Sequence, residues 1–417
     1  MSRSLPPALL ADATWYGTLA AVRDLGARGV PLILAYDEAV APARWSRHAG
    51  TVVRCPSTKD AERFLGWLHA FGASHPGCVL CLTSDDVAFL AAAHHATPES
   101  PFRIFCSSLD GLLELLDKSR LAAAARRAGL KSPATWSPTD EDELDLIAAE
   151  VPLPIVVKPR THVLSHLPGK PVLVNRRDQL PEAWRRTRDA SADQAKATGI
   201  PGIELPILQA YHPVSERVYT VDGFVDGDGT IVAATACVKC LQLPRRSGVG
   251  ICFESAALDP DVLAGLQRLC RQTGFRGVFD AEFLIEGEDR LLIDLNPRFY
   301  NHMAFEIERN LPLPWMSYLA AIGDERGLRH AVAGLDAERA AAGRIYVHRF
   351  LTAVLLASQR ATDRMSHAEV TGWRRWIADA GGVTNPAYVP GDPLPACAEL
   401  AYWLRHPRSF LHKAATR

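Results

Sequence analysis

Four polar residues interrupt a stretch that should be apolar. FDAEFLIEGEDRLLIDLNPRF, residues 279–299, reads as two short strands around EGED, yet Asp280, Glu282, Asp294 and Asn296 break the strands. Side chains alternate along a strand, so Asp280 and Glu282 share one face, as do Asp294 and Asn296. A three-residue loop at 287–289 is a common hairpin length. It sets Glu286 opposite Arg290, Glu282 opposite Asp294, and Asp280 opposite Asn296. Facing Cβ atoms then lie about 5 Å apart. Two carboxylates that close repel each other unless a positive charge lies between them. A hard cation meets that need: Mg²⁺ takes one or two carboxylates and leaves positions for water and phosphate oxygens. The alternative is a solvated acidic face. It is weakened by the NPR that follows, a carbonyl ligand and a fixed turn leading to Arg298, whose guanidinium suits phosphate or carboxylate.

A metal that clamps phosphates needs cations and a slot for a nucleobase. Lys118 lies in LDKSRL, and Lys158 ends the apolar run PIVVK, where its side chain can emerge toward a ligand. In PILQAYHPVSERVYTVDG an extended linker joins two strands and exposes backbone groups able to read an adenine edge. Taken singly, each lysine is more simply a surface charge. Thr83, Ser84, Asp85 and Asp86 follow a buried strand; they fit a ligand site at the carboxyl end of a parallel sheet or, equally, a helix cap. The CxxC pairs Cys78/Cys81 and Cys237/Cys240 lie in β-like runs. Residues i and i+3 on a strand face opposite ways, so neither pair closes on one metal. They read as buried, inert thiols.

These groups need a large scaffold. At 417 residues the chain exceeds what one core supports, so two to four domains or subdomains are expected. It is 48% hydrophobic and 22% charged, with net charge −1, which gives no pull toward nucleic acid or anionic membrane. Apolar runs such as FLTAVLLA fall far short of the ~20 residues that span a bilayer. The N-terminus shows no signal-peptide pattern, and an odd count of nine cysteines suggests no disulfide framework; a cytoplasmic protein is expected. Residues 1–110 alternate strand and helix, which predicts a parallel sheet. The first helix carries Leu19, Val22 and Leu25 and is ended by Gly26 and Gly29. No GxGxxG follows the first strand, so dinucleotide binding is not supported. Two helices fill 109–130, an acidic helix 139–150, and a polar loop 189–202. The run 203–254 is β throughout, with a hairpin turn at DGDG (226–229), and a helix covers 259–273. Residues 326–417 are mainly helical, broken at NPAYVPGDPLP.

In this order, LDKSRLAAAARRAGLKSPATW, PIVVKPR, ILQAYHPVSE, VKCLQLPRRSGVGICFES, GFRGVFDAEFLIE and LLIDLNPRF resemble the ATP-grasp superfamily across about residues 110–325. Within it the chain looks most like carboxylate–amine ligases related to D-aspartate ligase. The resemblance implies an α/β protein. A Rossmann-like parallel-sheet domain (1–110) precedes an ATP-grasp core of two α+β subdomains (111–208 and 209–325), followed by a mainly helical C-terminal extension (326–417). It implies that Lys118 and Lys158 contact ATP phosphates. Gln209, Ala210, Tyr211 and His212 match the adenine-binding linker, and Glu216 the acid that holds ribose. Lys239 and Arg245 match cations near the transferred phosphoryl group. Glu282, Asp294 and Asn296 match ligands of Mg²⁺ or Mn²⁺, and Arg298 the arginine that stabilises the phosphorylated intermediate.

The implied reaction is ATP-dependent amide formation between a small carboxylate and an amine, with a homodimer expected by analogy. A biotin-carboxylase-like carboxylase and a non-catalytic nucleotide-binding protein stand as alternatives. Two stretches depart from the family pattern. PRTHVLSHLPGK (159–170) replaces a Gly-rich loop with one holding a single glycine and two histidines. YNHM (300–303) puts bulky Tyr300 and His302 where small residues are usual, reshaping the acceptor pocket. The C-terminal WLRHPRSFLHKAATR reads as an ordinary terminal helix.

Overall fold

The computed structural model describes residues 5–37, 41–165, 171–213, 216–245, 248–335 and 343–406. Strands β1 (Ala8–Leu10), β2 (Leu32–Tyr36), β3 (Thr51–Arg54) and β4 (Val79–Cys81) form an all-parallel sheet in the order β3-β2-β1-β4. Every residue of β1 and β4 is buried, as a sheet covered on both faces requires. Helix Tyr16–Ala27 connects β1 to β2 and buries Leu19, Val22 and Leu25. Gly29, at φ +79°, ends it, and the Val30 N–H returns to the Leu25 carbonyl at 3.1 Å. Gly26 is not part of that stop. It lies inside the helix, where a Cβ would sit 2.6 Å from His48. The strand order switches direction at β1, which opens a crevice at the carboxyl ends of β1 and β4.

A second sheet, in the order β5-β8-β6-β7, joins β5 (Thr135–Trp136), β6 (Ile155–Lys158), β7 (Val172–Val174) and β8 (Ile207–Ala210), all antiparallel. Helices Glu141–Glu150 and Leu180–Ala190 cover it, packing Leu144 and Trp184 against Ile155 and Leu208. The expected loop 189–202 holds a short helix, Ala192–Thr198. Its composition hid it because its buried side chain is polar: Gln194 donates to the carbonyls of Thr161 (3.1 Å) and Val163 (2.7 Å).

The third sheet has seven strands: β9 (Val218–Val225), β10 (Ile231–Leu243), β11 (Val249–Ala256), β12 (Gly277–Glu286), β13 (Asp289–Asn296), β14 (Ile345–Val347) and β15 (Val383–Thr384). Their order is β13-β12-β9-β10-β11-β14-β15. Alternation divides it into two faces. Tyr219, Val221, Ala236, Val238, Phe279, Ala281 and Phe283 point to the back, under helices Lys118–Arg127, Pro260–Thr273 and Arg349–Ala361. Truncating a buried Phe in such a face typically costs about 3–5 kcal/mol. The front carries Thr220, Asp222, Thr235, Cys237, Lys239, Asp280 and Glu282, opposite in parity to the apolar set. Each CxxC pair is split between separate cores, Cys78 from Cys81 and Cys237 from Cys240, and all nine cysteines are free.

The hairpin β12–β13 corrects one expectation and keeps another. Glu286 pairs with Asp289, not Arg290, so the turn has two residues. Gly287, at φ +59°, takes the first central position, the conformation glycine supplies in such turns. A bulge between Glu282 and Phe283 then restores the expected facing pairs, Glu282 with Asp294 and Asp280 with Asn296. The C-terminal region is helical at Arg349–Ala361, His367–Ala378 and Leu394–Arg405, but β14 and β15 extend the large sheet. Asp392 fastens this region to the first domain, accepting from Arg23 Nε (2.8 Å), Ser46 Oγ (2.7 Å) and the Arg47 N–H (2.7 Å). Among the described residues no helix is long and apolar enough to cross a membrane.

Candidate active site

The facing carboxylates are each met by a lysine. Lys118 opens its helix, whose start is fixed by Asp117 accepting from the N–H groups of Ser119 (2.9 Å) and Arg120 (3.4 Å). From there Lys118 Nζ reaches Asp294 Oδ1 at 2.9 Å. Lys239, on β10, donates to both oxygens of Glu282 at 2.8 Å. Burial alone raises the Asp294 carboxyl, but Lys118, His162 and Lys158 outweigh it and hold it well below the usual range. Burial likewise lowers Lys239, and Glu282 with Asp280 and Asp294 more than restores it. Lys158, at the end of β6, is brought down to about 7 by burial and by the Lys118 ammonium, against the pull of Asp294.

Arg298 joins this hairpin to the first domain. Its Nε and Nη2 reach Asp85 at 3.0 and 3.5 Å, and Nη2 also donates to Asn296 Oδ1 at 2.9 Å. Asn296 in turn donates to Asp280 Oδ2 at 3.1 Å. The segment after Arg298 is anchored by Phe299 N–H to the Leu82 carbonyl (2.9 Å), just past β4. Beside it lies a cleft of about 310 Å³ at the carboxyl ends of the parallel strands, lined by Asp12, Asp37, Lys59, Asp85, Arg298 and Tyr300, among others. Ser84 caps the helix after β4, as the cap reading expects, while Asp85 and Asp86 line the cleft. Asp86 is saturated by Lys59 (2.6 Å), Thr58 (2.8 Å) and the Leu164 N–H (2.7 Å). Asp12 stands at φ +52°, and its carboxyl is raised by burial and by Asp37 and Asp86.

The other expected residues are placed less centrally. Gln209 and Ala210 end β8, Tyr211 is 41% exposed, and His212 meets Glu286 at 2.8 Å, bringing the linker over the hairpin tip. Arg245 meets Glu216 at 2.9 Å and reaches toward Glu369 at 3.8 Å, joining the proposed ribose acid rather than the carboxylate pair. Of the atypical loop, 166–170 lie outside the described residues. Its first half is pinned: Arg160 reaches Asp117 (3.2 Å) and the Gly202 carbonyl (2.9 Å). His162 lines the cleft and is open to water there. The walls of the cleft and the Lys118 charge lower its pKa from the ordinary value. Sequence reasoning missed Asp222, which faces Asp280 across β9 and β12. Burial raises the Asp222 carboxyl well above the usual range, and burial with Asp222 opposite raises that of Asp280. The signal was available, since Thr220 and Asp222 break VYTVDGF at the same period of two.

Comparisons with known proteins bear on this arrangement. No family model matches the chain. The large chain of carbamoyl phosphate synthase from Pseudomonas aeruginosa is 22% identical over 213 residues, 49% of this chain and 18% of that protein. The match therefore spans less than a fifth of that relative's length. Among solved structures, biotin carboxylase from Campylobacter jejuni in a β,γ-ATP complex superposes with a TM-score of 0.57 at 18% identity, covering 76% of this chain and 71% of that one. L-amino acid ligase from Bacillus licheniformis superposes with a TM-score of 0.54 at 12% identity, covering 76% and 74%. This is the ATP-grasp fold. In ATP-grasp terms, the parallel sheet precedes the core, the four-stranded and seven-stranded sheets form it, and the helical region follows. The carboxylate hairpin sits in the larger core sheet, facing Lys118 and Lys158.

Proposed function

We propose that the protein is an ATP-dependent carboxylate–amine ligase. The observation that carries this is the meeting of Lys118–Asp294 and Lys239–Glu282 with Arg298 beside the cleft. Two facing carboxylates, each neutralised by an ammonium, form a hard-oxygen donor set, and the Asn296 carbonyl beside them adds a third oxygen. That set fits a divalent ion. Glu282, Asp294 and Asn296 would hold Mg²⁺ or Mn²⁺, which supplies charge neutralisation to phosphate oxygens.

The chain's own residues then act by position and charge. Lys118 and Lys158 hold the phosphates, and Gln209 to His212 and Glu216 bind the adenosine. The substrate carboxylate oxygen takes the γ-phosphoryl group from ATP and ADP leaves, giving an acyl phosphate. The amine nitrogen attacks the acyl carbon, a C–N bond forms, the C–O bond to phosphate breaks, and the amine gives up a proton. Lys239 and Arg298 offset charge on the transferring oxygens, and Arg245 supports Glu216. The cleft at the carboxyl ends of β1 and β4 receives the substrates, with Asp12 and Asp37 able to orient an ammonium group. Nine free thiols support a reducing, cytoplasmic setting. A relation to D-aspartate ligase and a homodimer belong to the same reading.

A screen of acid and amine pairs for ADP release, with mass detection of the conjugate, tests it. A pair that yields both ADP and conjugate supports the proposal. The likeness to biotin carboxylase favours a second reading in which bicarbonate is the acid. ADP release that requires bicarbonate and biotin would select it instead.

A further inference from the structure

We propose that Asp222, Cys237, His302 and Glu306 form a buried site for a transition-metal ion of the zinc kind, separate from the hard-oxygen set at Glu282 and Asp294. Their four donor atoms lie within 4.8 Å of one another, and the residues are 0–4% exposed. One helix and two strands build the cluster. His302 precedes helix Met303–Glu308, and Glu306 lies four residues on, so both reach the same side. Asp222 on β9 and Cys237 on β10 come from the front face of the large sheet. His302 Nε2 lies 3.2 Å from Asp222 Oδ1, and Cys237 Sγ lies 3.6 Å from Asp222 Oδ2. A tetrahedral zinc site with bonds of about 2.0–2.3 Å has donor–donor edges of roughly 3.3–3.8 Å, so the donors need close by at most about 1.5 Å.

The donor chemistry points the same way. One thiol, one imidazole and two carboxylates suit zinc, whereas Mg²⁺ and Ca²⁺ avoid sulfur. The surroundings hold each donor in place. His302 stacks on Phe253, with ring centroids 4.1 Å apart. Thr220 donates to Asp222 at 3.2 Å, Thr235 donates to Glu306, and Arg309 holds Glu306 at 3.1 and 3.3 Å. Charge closes as well. A divalent ion and the Arg309 guanidinium balance the Cys237 thiolate and the carboxylates of Asp222 and Glu306, with His302 neutral.

An independent observation is the polarity left over. The hydroxyl of Tyr300, a residue 2% exposed, and Asp280 Oδ1, in a residue 3% exposed, have no hydrogen-bond partner among the described residues. The ring centroids of Tyr300 and His302 lie 4.5 Å apart. Both atoms stand unmet beside the cluster, each a cost of about 1–3 kcal/mol, so the polar demand of this pocket exceeds what its protein partners meet. On binding, the ion replaces the Cys237 thiol proton, which goes to solvent, and one metal–sulfur bond forms.

The full chain produced in zinc-supplemented medium and desalted should retain about one zinc per molecule by mass spectrometry. Protein produced with Co²⁺ instead should show the near-ultraviolet thiolate-to-cobalt absorption. That band should vanish in Cys237→Ser, persist in Cys397→Ser at the exposed cysteine, and persist in Glu282→Gln at the hard-oxygen set. His302→Gln should bind at least about tenfold more weakly. Wild-type protein with neither retained zinc nor a cobalt band overturns the proposal, whether or not any variant folds. A band that survives in Cys237→Ser overturns it too. Neither result touches the ligase reading, which rests on ADP release.

Discussion

Lys158 offers the sharpest test of the site's electrostatics. Its ammonium is brought from an ordinary 10.5 to about 7 by burial and by Lys118, against the pull of Asp294. Between those two values the unfolded chain holds a proton that the folded protein lacks, so stability rises with pH across that window. Below about 7 both states are protonated and the folded state bears the full cost. At about 1.36 kcal/mol per pH unit the gap is on the order of 5 kcal/mol, a ceiling because the side chain is only partly buried. Lys158→Met removes the ammonium and should stabilise the fold most at low pH. At pH 9 only the span from 9 to 10.5 remains, so with the folded value at about 7 the gain should fall by about half relative to pH 6.5, and by less where solvent screening shrinks the shift. Urea denaturation of both proteins at the two pH values measures this; Trp136 and Trp184 report on the sheet that carries Lys158. An equal gain at both values, or a larger one at pH 9, would refute the reasoning. The same physics predicts that wild type takes up a proton when it binds Mg–ATP at pH 8 and that the variant does not. Calorimetry in buffers of different ionisation heat reads that difference.

Three further outcomes follow from named contacts. Glu282→Gln keeps the shape but removes one charge of the facing pair and should lower substrate-dependent ADP release by about 100–1,000-fold while circular dichroism stays native; unchanged turnover excludes Glu282 from the site. In Gly17→Ala the new Cβ meets the Tyr300 carbonyl oxygen at 2.4 Å, so the segment after Arg298 must shift. Thermal stability should drop by about 1–3 kcal/mol and kcat should fall with it, as melting and rate assays would show. Asp392→Ala strips a buried carboxylate from Arg23, Ser46 and Arg47 and should cost about 3–5 kcal/mol, read as faster limited proteolysis of residues 343–406. Arg23 and Asp392 are joined in the wild type, so cleavage should rise first around Asp392, since β14 and helix Arg349–Ala361 stay built into the large sheet and its core.

The strands were legible wherever burial and pattern coincided. The short apolar runs of β1, β4 and β6, and the helix carrying Leu19, Val22 and Leu25, sit where their composition put them. What the sequence hid was set by tertiary contact. Helix Ala192–Thr198 is polar because Gln194 caps carbonyls of a neighbouring loop. The turn at Gly287 is one residue shorter than expected, and only the bulge at β13 keeps the carboxylates facing. A bulge leaves no mark in an alternating pattern, so the correct pairing of Glu282 with Asp294 rested on two errors of opposite sign. Arg245 could not be placed from its position after β10, because its partner Glu216 lies on a separate stretch of chain.

The candidate site residues were visible because a period of two was broken on one face only. On β12, Phe279, Ala281 and Phe283 keep the back face apolar, while Asp280 and Glu282 load the front. The same reading extends across the sheet. Val221 and Tyr219 alternate with Thr220 and Asp222, and Ala236 and Val238 alternate with Thr235, Cys237 and Lys239. Solvated acids on an open antiparallel face would cost little, but Thr220 and Asp222 are 0% exposed, Asp280 3% and Lys239 6%. Buried polar groups persist only where partners meet them. Lys118, Lys239, Arg298 and Arg309 meet part of that demand, and Tyr300 and Asp280 show where it is still unmet. A sheet face that keeps Asp222, Asp280 and Lys239 beneath cover is what the ion sites proposed above would require, and each strand that lines it carries its share in plain sequence.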